Sequence, residues 1–535
     1  MIDTLFKKYI LRIELRALRG YQYLKKQNRL YDIQKIKEDC SKCLIKTSVP
    51  RDKLLLGSSF KYWNILIAQF TYSKILNLYF TKLLLAAVNN GVLIYPLPGV
   101  INKLLLEKGI RVNRLMNELL WVIGGVSLYL SGVFKLFNIL AHLSIRSCKL
   151  NNKNFTKNVY FHTIDKTCLP MPNSNELETI VDWYIRRQDP ALVVSIYCDV
   201  KFRDFQVNSK AEIKSKKLIN TLEYNFYGLT KFLIASLLLI IYNPLRSLIF
   251  RDMYYMYLFN DIIYAYAWRY SLNTSWTHIF NLSRHVLRPL WSYEAEAKGN
   301  IIEFYFYSTN TEVFSYQNQT ANELSFGYDL CTWSRVFVWD LDQKNYVNRT
   351  FLKSPSEINI VGSIPLSDSV RHVDLKKNSQ KFVAVFDIQP FRKSKFASLG
   401  LPTSYYDGKV AIQFNIDIDI VMKEFNIQII RKRKREIGKT GLKAYHHQCD
   451  KLLREGNLEI FPQINAKHVI EHSAFVIAMP FTGVATQAKE MNRTVVYYDP
   501  FGGIPDSIKY SHGVATIEGI DALRNWVNIY ENQFK

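Results

Sequence analysis

The residues of this chain that could do chemistry sit at the ends of short apolar runs. Between Phe475 and Pro500 the sequence reads FVIAMPFTGVATQAKEMNRTVVYYDP. The run Phe475–Met479 is brief and β-favouring and stops at Pro480, which fits a buried parallel strand. Pro480, Phe481, Thr482 and Gly483 then form a turn before a helical pattern, with Thr482 expected as its N-cap. Such a turn points free backbone N–H groups and the positive end of a helix dipole out of a sheet edge, which is chemistry for holding a diphosphate. A second strand, Thr494–Tyr498, ends at Asp499, whose carboxylate is a donor contact or the cap of its own Pro-Gly turn. An ordinary strand–helix–strand crossover without a ligand would use the same residues.

A basic run, Arg431 to Arg435, follows the strand pattern NIQII directly. At the carboxyl end of a strand, Lys432, Arg433 and Lys434 are placed to meet a phosphate, an Arg bidentately, and to stabilise the charge of a departing nucleotide. A solvated or membrane-facing charge run is the alternative. Asp387 closes an apolar strand beside Gln389 and Pro390, either to hold a sugar hydroxyl or to form a turn. Inverting sugar transfer needs a base, and Asp165, then His162, both in FHTIDKT, are the first choices, with Asp340 in VFVWD another.

Metal chemistry is not expected. His468, Glu471 and His472 spell HxxEH, the inverted zinc-protease pattern, yet no third ligand accompanies them. Core or cap roles suit a helix that faces a sheet through Val469 and Ile470. IDIDI at 416–420 alternates like a strand with its Asp residues on one face, which a solvent face explains. Cys40 and Cys43 form a lone CxxC, read as a helix-surface pair, and seven dispersed cysteines suit a reducing cytoplasm.

The elements that must position these groups follow from the wider pattern. With 535 residues the chain should hold two or three domains. Its net charge of +24 calls for an anionic partner, and 34 Tyr, 32 Phe and long apolar segments favour a membrane surface over nucleic acid, for which no motif is visible. Residues 1–150 read as helical and basic, beginning with an amphipathic helix rather than a signal peptide. Leu119–Phe134 and Phe232–Tyr242 are apolar but short of a bilayer span, so both are expected as buried or interfacial helices. The first could continue through VFKLFNILAHL into a span or hairpin.

From residue 151 strands alternate with helical material, which argues for parallel sheets. A first Rossmann-like domain is expected over 151–363, with strands at 158–164, 191–200, 301–309, 335–340 and 357–364 and a helical insertion over about 212–295. A polar linker is expected at 364–380. A second Rossmann-like domain is expected over 381–512, with strands at 381–390, 426–436, 458–461, 475–479 and 494–498, and a C-terminal helix over 513–535. The fold class is therefore α/β, two consecutive Rossmann-like domains with a helical, membrane-associating N-terminal region. This is the GT-B arrangement of many glycosyltransferases.

The stretches EFYFYSTNTEVF, VFVWDLDQKNYVNR, INIVGSIPLSDS, VAVFDIQPFRKS and AMPFTGVATQAKEMNRTVVYYDP resemble the bacterial polysaccharide-biosynthesis proteins named for a Pro-Phe-Thr-Ser motif, over roughly residues 290–505. The resemblance implies a surface-polysaccharide glycosyltransferase that takes a sugar from a nucleotide-activated donor, without a cofactor, and passes it to a lipid-linked or glycan acceptor. Gly483 stands where the family usually has serine, which removes one hydroxyl and keeps the backbone donors. Related sialyl- and Kdo-transferases imply a basic element after the second strand of the C-terminal domain and a hydroxyl-rich helix start, here RKRKRE and PFTGVAT with Thr486. The expected location is the inner face of the cytoplasmic membrane. Two alternatives are an isomerase of the sugar-nucleotide 2-epimerase type and a non-catalytic membrane assembly protein.

Overall fold

The computed structural model describes residues 2–47, 57, 62–89, 91–146, 157–170, 179–189, 192–207, 211–281, 287–309, 326–364, 382–392, 394–395, 408–462, 464–504 and 511–531. The linker expected at 364–380 lies outside the described residues apart from Ile364.

The N-terminal region is helical: α1 (Ile2–Lys26), α2 (Tyr31–Thr47), α3 (Trp63–Phe70), α4 (Leu78–Val88), α5 (Gly99–Glu107) and α6 (Arg114–Arg146). Helix α1 turns Ala17, Tyr21 and Leu24 inward, a spacing of three to four residues that keeps them on one stripe. It reaches α4 closely because Gly20 has no side chain: a Cβ there would collide with the Leu85 carbonyl oxygen. The CxxC pair lies on α2. Cys40 is fully buried rather than on the surface, and Cys43 donates its thiol to the Cys40 carbonyl at 3.1 Å.

The apolar run around Leu119–Phe134 does not stop at Lys135, because the helix carrying it spans 33 residues. The charge of Lys135 acts on Asp261, whose carboxyl is pushed up to about 6 by burial and partly restored by Lys74 and Lys135. Helix α7 (Ile180–Arg186) follows the first strand of the first sheet. Helix α8 (Phe226–Ile249) is the other long apolar helix, and α9 (Tyr254–Tyr257) and α10 (Phe259–Tyr270) lie beneath α6 and α8. Both long helices are apolar and long enough to cross a membrane by length and composition, with 28% of each apolar window buried.

The first sheet has eight strands: β1 (Lys157–Phe161), β2 (Val194–Cys198), β3 (Phe205–Val207), β4 (Ala211–Ser215), β5 (Trp276–Asn281), β6 (Ile301–Tyr305), β7 (Arg335–Val338) and β8 (Glu357–Ile360), in the order β3-β4-β2-β1-β5-β6-β7-β8. All pairs are parallel except the β3–β4 edge. Two strands correct the expected helical insertion over 212–295. Strand β4 opens it and β5, in the middle of the sheet, lies inside it. Trp276–Asn281 is fully buried on both faces, so it lacks the alternation that marks a half-exposed strand. Helices α11 (Trp291–Ala297) and α12 (Leu341–Thr350) complete the layer.

The second sheet is wholly parallel, with β9 (Phe382–Phe386), β10 (Gln428–Lys432), β11 (Leu458–Ile460), β12 (Phe475–Ala478), β13 (Val495–Asp499) and β14 (Thr516–Glu518) ordered β11-β10-β9-β12-β13-β14. Its helices are α13 (Gly408–Glu424), α14 (Lys443–Arg454), α15 (Ala466–His472), α16 (Gly483–Glu490) and α17 (Gly519–Glu531). In chain order this sheet runs 3-2-1-4-5-6, the doubly wound pattern. Strands β4-β2-β1-β5-β6-β7 of the first sheet repeat it.

IDIDI is helical, not extended. It belongs to α13, where Val410, Phe414, Ile418 and Val421 recur every three or four residues and override five residues of local alternation. Its acids are buried, not solvated. Asp417 accepts from Tyr498 Oη at 2.6 Å, and Asp419 holds Lys423 Nζ at 2.7 Å and Asn457 Nδ2 at 3.0 Å.

Candidate active site

In a doubly wound sheet the chain leaves the first strand in one direction, then crosses back, and the crevice where the order reverses takes the ligand. The second sheet reverses between β9 and β12, the first between β1 and β5. Asp387 therefore follows one switch-point strand, and Met479, Pro480, Phe481, Thr482 and Gly483 follow the other.

The turn after β12 is unusual in its backbone. Phe481 has φ +60°, a left-handed conformation that costs a bulky residue energy and clusters at ligand sites. Its ring is held edge-on to Tyr497, with centroids 5.8 Å apart. Thr482 stands at the N-cap of α16, but its side chain does not cap. Its hydroxyl donates back to the Met479 carbonyl at 3.0 Å, while its own carbonyl accepts from Tyr497 Oη at 3.1 Å. The first turn of α16 is thus left without a side-chain cap; the Ala485 N–H is taken by the Thr482 carbonyl at 3.1 Å, and the Gly483 and Val484 N–H groups precede it at the helix start. One turn in, Thr486 is 3% exposed and its hydroxyl has no protein partner among the described residues.

The carboxyl edge of the first sheet faces this turn. A Cβ added at Gly483 would lie 3.5 Å from both Ser308 Oγ and Thr309 Oγ1, which follow β6. Ser308 is set by Gln343 Nε2, which donates to its carbonyl at 2.9 Å. Beyond β7, Asp340 Oδ2 lies 2.6 Å from Nδ1 of His512, on the loop before β14. Burial works to raise the Asp340 carboxyl, and the hydrogen bonds from His512 and the Gln343 N–H outweigh it, leaving it below its ordinary value. The Arg435 charge is felt by Tyr307, after β6: burial raises the tyrosine hydroxyl and that charge opposes the rise.

The basic run divides differently from its sequence reading. Arg431 and Lys432 belong to β10 and are buried. Arg431 reaches Tyr445 Oη at 3.0 Å, Glu459, and Asp387 Oδ2 at 3.5 Å. Lys432 Nζ donates to the Arg433 carbonyl at 3.1 Å, and burial pushes its ammonium down to about 8. Arg433 pairs with Glu459 at 2.9 Å. Lys432 and Arg433 are therefore engaged within the domain, Lys432 buried against the Arg433 carbonyl and Arg433 held by Glu459, rather than turned towards a ligand. Lys434 and Arg435 are exposed. Arg435 donates its backbone N–H to Gln389 Oε1 at 2.9 Å, and its charge acts on Tyr307 of the other domain; its place in an unbroken basic run gave no signal of this.

Asp387 is likewise turned inward. Its Oδ2 accepts from Asn415 Nδ2 at 2.9 Å and Tyr445 Oη at 2.5 Å, while Oδ1 is buried without a partner among the described residues. Asp499 is fully buried and accepts backbone N–H groups of Phe501, Gly503 and Ile504 at 2.8 to 3.1 Å. Its carboxylate caps its own turn, the second of the two roles open to it from the sequence.

On the first domain, His162 sits just past β1 with Nε2 3.3 Å from His278 Nδ1, its ring stacked on Phe280 at 4.0 Å. Burial drives His278 down to about 3. This ring cluster makes His162 a packing residue and removes it as an exposed base. Asp165 is exposed and opens the short turn Lys166–Cys168. On α15, Val469 and Ile470 are fully buried. Ligand atoms of His468, Glu471 and His472 lie within 4.8 Å of one another, at the opposite end of the second sheet from the crevice.

Two doubly wound domains with their carboxyl edges facing across a crevice define a GT-B-like α/β protein. The chain belongs to the polysaccharide biosynthesis PFTS motif proteins, whose family model matches residues 231–527, more than half of its length. No curated protein matches it. Among solved structures it is similar to a variant of the wall teichoic acid polymerase TagF (12% identity, 77% of this chain and 90% of that chain, TM-score 0.35). An α,α-trehalose-phosphate synthase (UDP-forming) from Burkholderia xenovorans also matches, with 9% identity over 70% of this chain and 91% of that one, at a TM-score of 0.35. TarM matches with 12% identity over 51% of this chain, at a TM-score of 0.30, and the chain spans about half (52%) of TarM's length.

Proposed function

We propose that the protein is a glycosyltransferase of surface-polysaccharide biosynthesis that moves a sugar from a nucleotide-activated donor to a lipid-linked or glycan acceptor. The observation that carries this reading is the uncapped start of α16 at the β9/β12 switch point, facing Ser308 and Thr309 across the crevice. The donor diphosphate docks on the first N–H groups of α16, with the hydroxyls of Ser308, Thr309 and Thr486 around it. Arg435 supplies the charge that meets the departing nucleotide, so side chain and helix dipole neutralise it without a metal. Asp165 takes the acceptor proton.

Helices α6 and α8 seat the protein on the cytoplasmic membrane. Leu119, Ile123, Phe134, Leu237, Leu238 and Ile241 are all more than half exposed. The pair lies in the membrane plane, because its other side is fastened to protein: Asn243 Nδ2 of α8 donates to the Tyr255 carbonyl at 3.1 Å, and Tyr257 Oη donates to the Trp121 carbonyl of α6 at 2.8 Å.

The test is a thermal-shift screen against cytidine, uridine, guanosine and thymidine mono- and diphosphates, since a ligand of the folded state raises stability by mass action. Stabilisation by one nucleotide, abolished in Arg435→Ala/Thr482→Ala and insensitive to EDTA, is expected. No shift with any nucleotide would overturn the donor site. Conversion of a free nucleotide sugar without acceptor would replace transfer by epimerisation.

A further inference from the structure

A groove of 490 Å³ lies between α1 and the C-terminal domain, with walls of two kinds. One wall is Leu11, Leu15 and Leu18 of α1, spaced by four and three residues and so on one face of the helix. Leu11 and Leu15 are 55% and 49% exposed, so the face they present is largely uncovered among the described residues. The other wall is Arg392, Lys395 and Thr440. It is built by the loops that leave β9 and β10, tied together where the Arg392 N–H donates to the Thr440 carbonyl at 3.0 Å and Phe391 bridges Gly441. These loops leave the carboxyl edge of the second sheet, so the cationic wall adjoins the donor half of the crevice. At the rim, Glu14 is paired with Lys82 at 3.1 Å, and its charge is offset rather than facing an anion alone.

A volume of this size takes one ligand molecule. Leucines exclude a charged sugar from one side and two cations recruit a phosphate to the other. We infer that the groove between α1 and the Phe391–Gly441 bridge binds a single-chain phosphorylated lipid, hydrocarbon along the leucines and phosphate on Arg392 and Lys395. This rests on the proposed transfer reaction and names the class of its acceptor: a lipid phosphate delivered from the membrane on which α6 and α8 lie. An arginine fork grips a phosphate oxygen pair, whereas a free sugar or inorganic phosphate uses only part of the site.

The full chain is titrated with farnesyl phosphate, farnesol and inorganic phosphate by calorimetry. Farnesyl phosphate is expected to bind at least about tenfold more tightly than either control. Arg392→Glu/Lys395→Glu and Leu11→Asp/Leu15→Asp should each weaken it by about tenfold or more, with circular dichroism and the nucleotide thermal shift unchanged. Should the aspartate pair fail to fold, Leu15→Asn alone carries the apolar arm. Leu237→Asp/Leu238→Asp, on the membrane-facing helix, should leave farnesyl phosphate binding intact. Equal binding by the groove variants, no preference over farnesol, or loss in the α8 variant instead would each overturn the assignment. Because nucleotide stabilisation is read on the same samples, absence of farnesyl phosphate binding by the unmutated chain with that shift intact refutes only the lipid site. Lipid binding without any nucleotide shift refutes only the transfer reaction.

Discussion

The two switch points of this molecule have the same strand order and opposite chemistry. In the first domain the ends of β1 and β5 are backed by rings, with His162 on Phe280 and His278 against Trp268 and Trp291 at 4.8 and 5.0 Å. Those rings hold their polar atoms in a dry setting, where an imidazole stays neutral. In the second domain the matching strands end in a carboxylate with one oxygen unpaired among the described residues and a helix with no side-chain cap. A shared topology therefore fixes where a ligand can sit in each half, and side-chain polarity decides which half keeps one.

The comparison breaks most visibly if the second switch point loses its internal support. Asp387→Ala leaves Arg431 and Tyr445 with fewer partners in a buried network, and unfolding in urea is expected to show a loss of about 3–5 kcal/mol, as when one member of a buried pair is removed. A cost near zero would mean that Asp387 belongs to the crevice rather than to the core.

The dry character of the first domain is sharpened by pH. His278 titrates near 6.5 unfolded and about 3 folded, so between these values the unfolded chain holds the extra proton and stability falls as pH drops. Glu303 behaves oppositely: burial raises it from 4.5 to about 7, so the folded chain holds the extra proton and stability falls as pH rises through that window. Each contributes at most about 1.4 kcal/mol per pH unit, and between 4.5 and 6.5 they oppose one another. Denaturation midpoints of His278→Phe should fall with rising pH there, and those of Glu303→Gln should climb. Parallel profiles for both variants would show that these groups are hydrated.

The smallest expected effect concerns Gly483→Ser, which restores the residue usual in the family. Gly483 has no positive φ to protect and the nearest atoms are 3.5 Å from the added Cβ. A gain of about 0.4–1 kcal/mol from reduced unfolded-chain freedom is expected in thermal melts. A loss would show that Ser308 and Thr309 press on this turn more tightly than their distances indicate.

Much of this architecture was legible in the sequence, because parallel strands buried on both faces announce themselves as apolar runs. The expected strands at 475–479 and 494–498 match β12 and β13 within a residue. The misses have a common cause. Strand β5 carries Thr277, His278 and Asn281, polar residues that the core accepts only because of neighbours contributed from elsewhere, as when Asn281 Nδ2 donates to the His162 carbonyl at 3.2 Å. Asp387, read as a hydroxyl-holding or turn residue, and Arg431, read as part of a basic run, are buried for the same reason, since each is neutralised by the other and by residues distant in the chain. Conversely the turn after β12 was readable as a turn, but neither the left-handed Phe481 nor the redirected Thr482 hydroxyl has a signature in residue type alone.

Gly20 gives α1 a fulcrum. With the Leu85 carbonyl where the first atom of any side chain would go, the helix rests backbone against backbone at this one point. Leu11 and Leu15, more than a turn away along the same rod, swing with it. A methyl group at position 20 would act as a shim under the lever and shift the leucine wall relative to Arg392. The bore of the groove, and with it the girth of the chain it admits, is thereby gauged by a side chain that is missing.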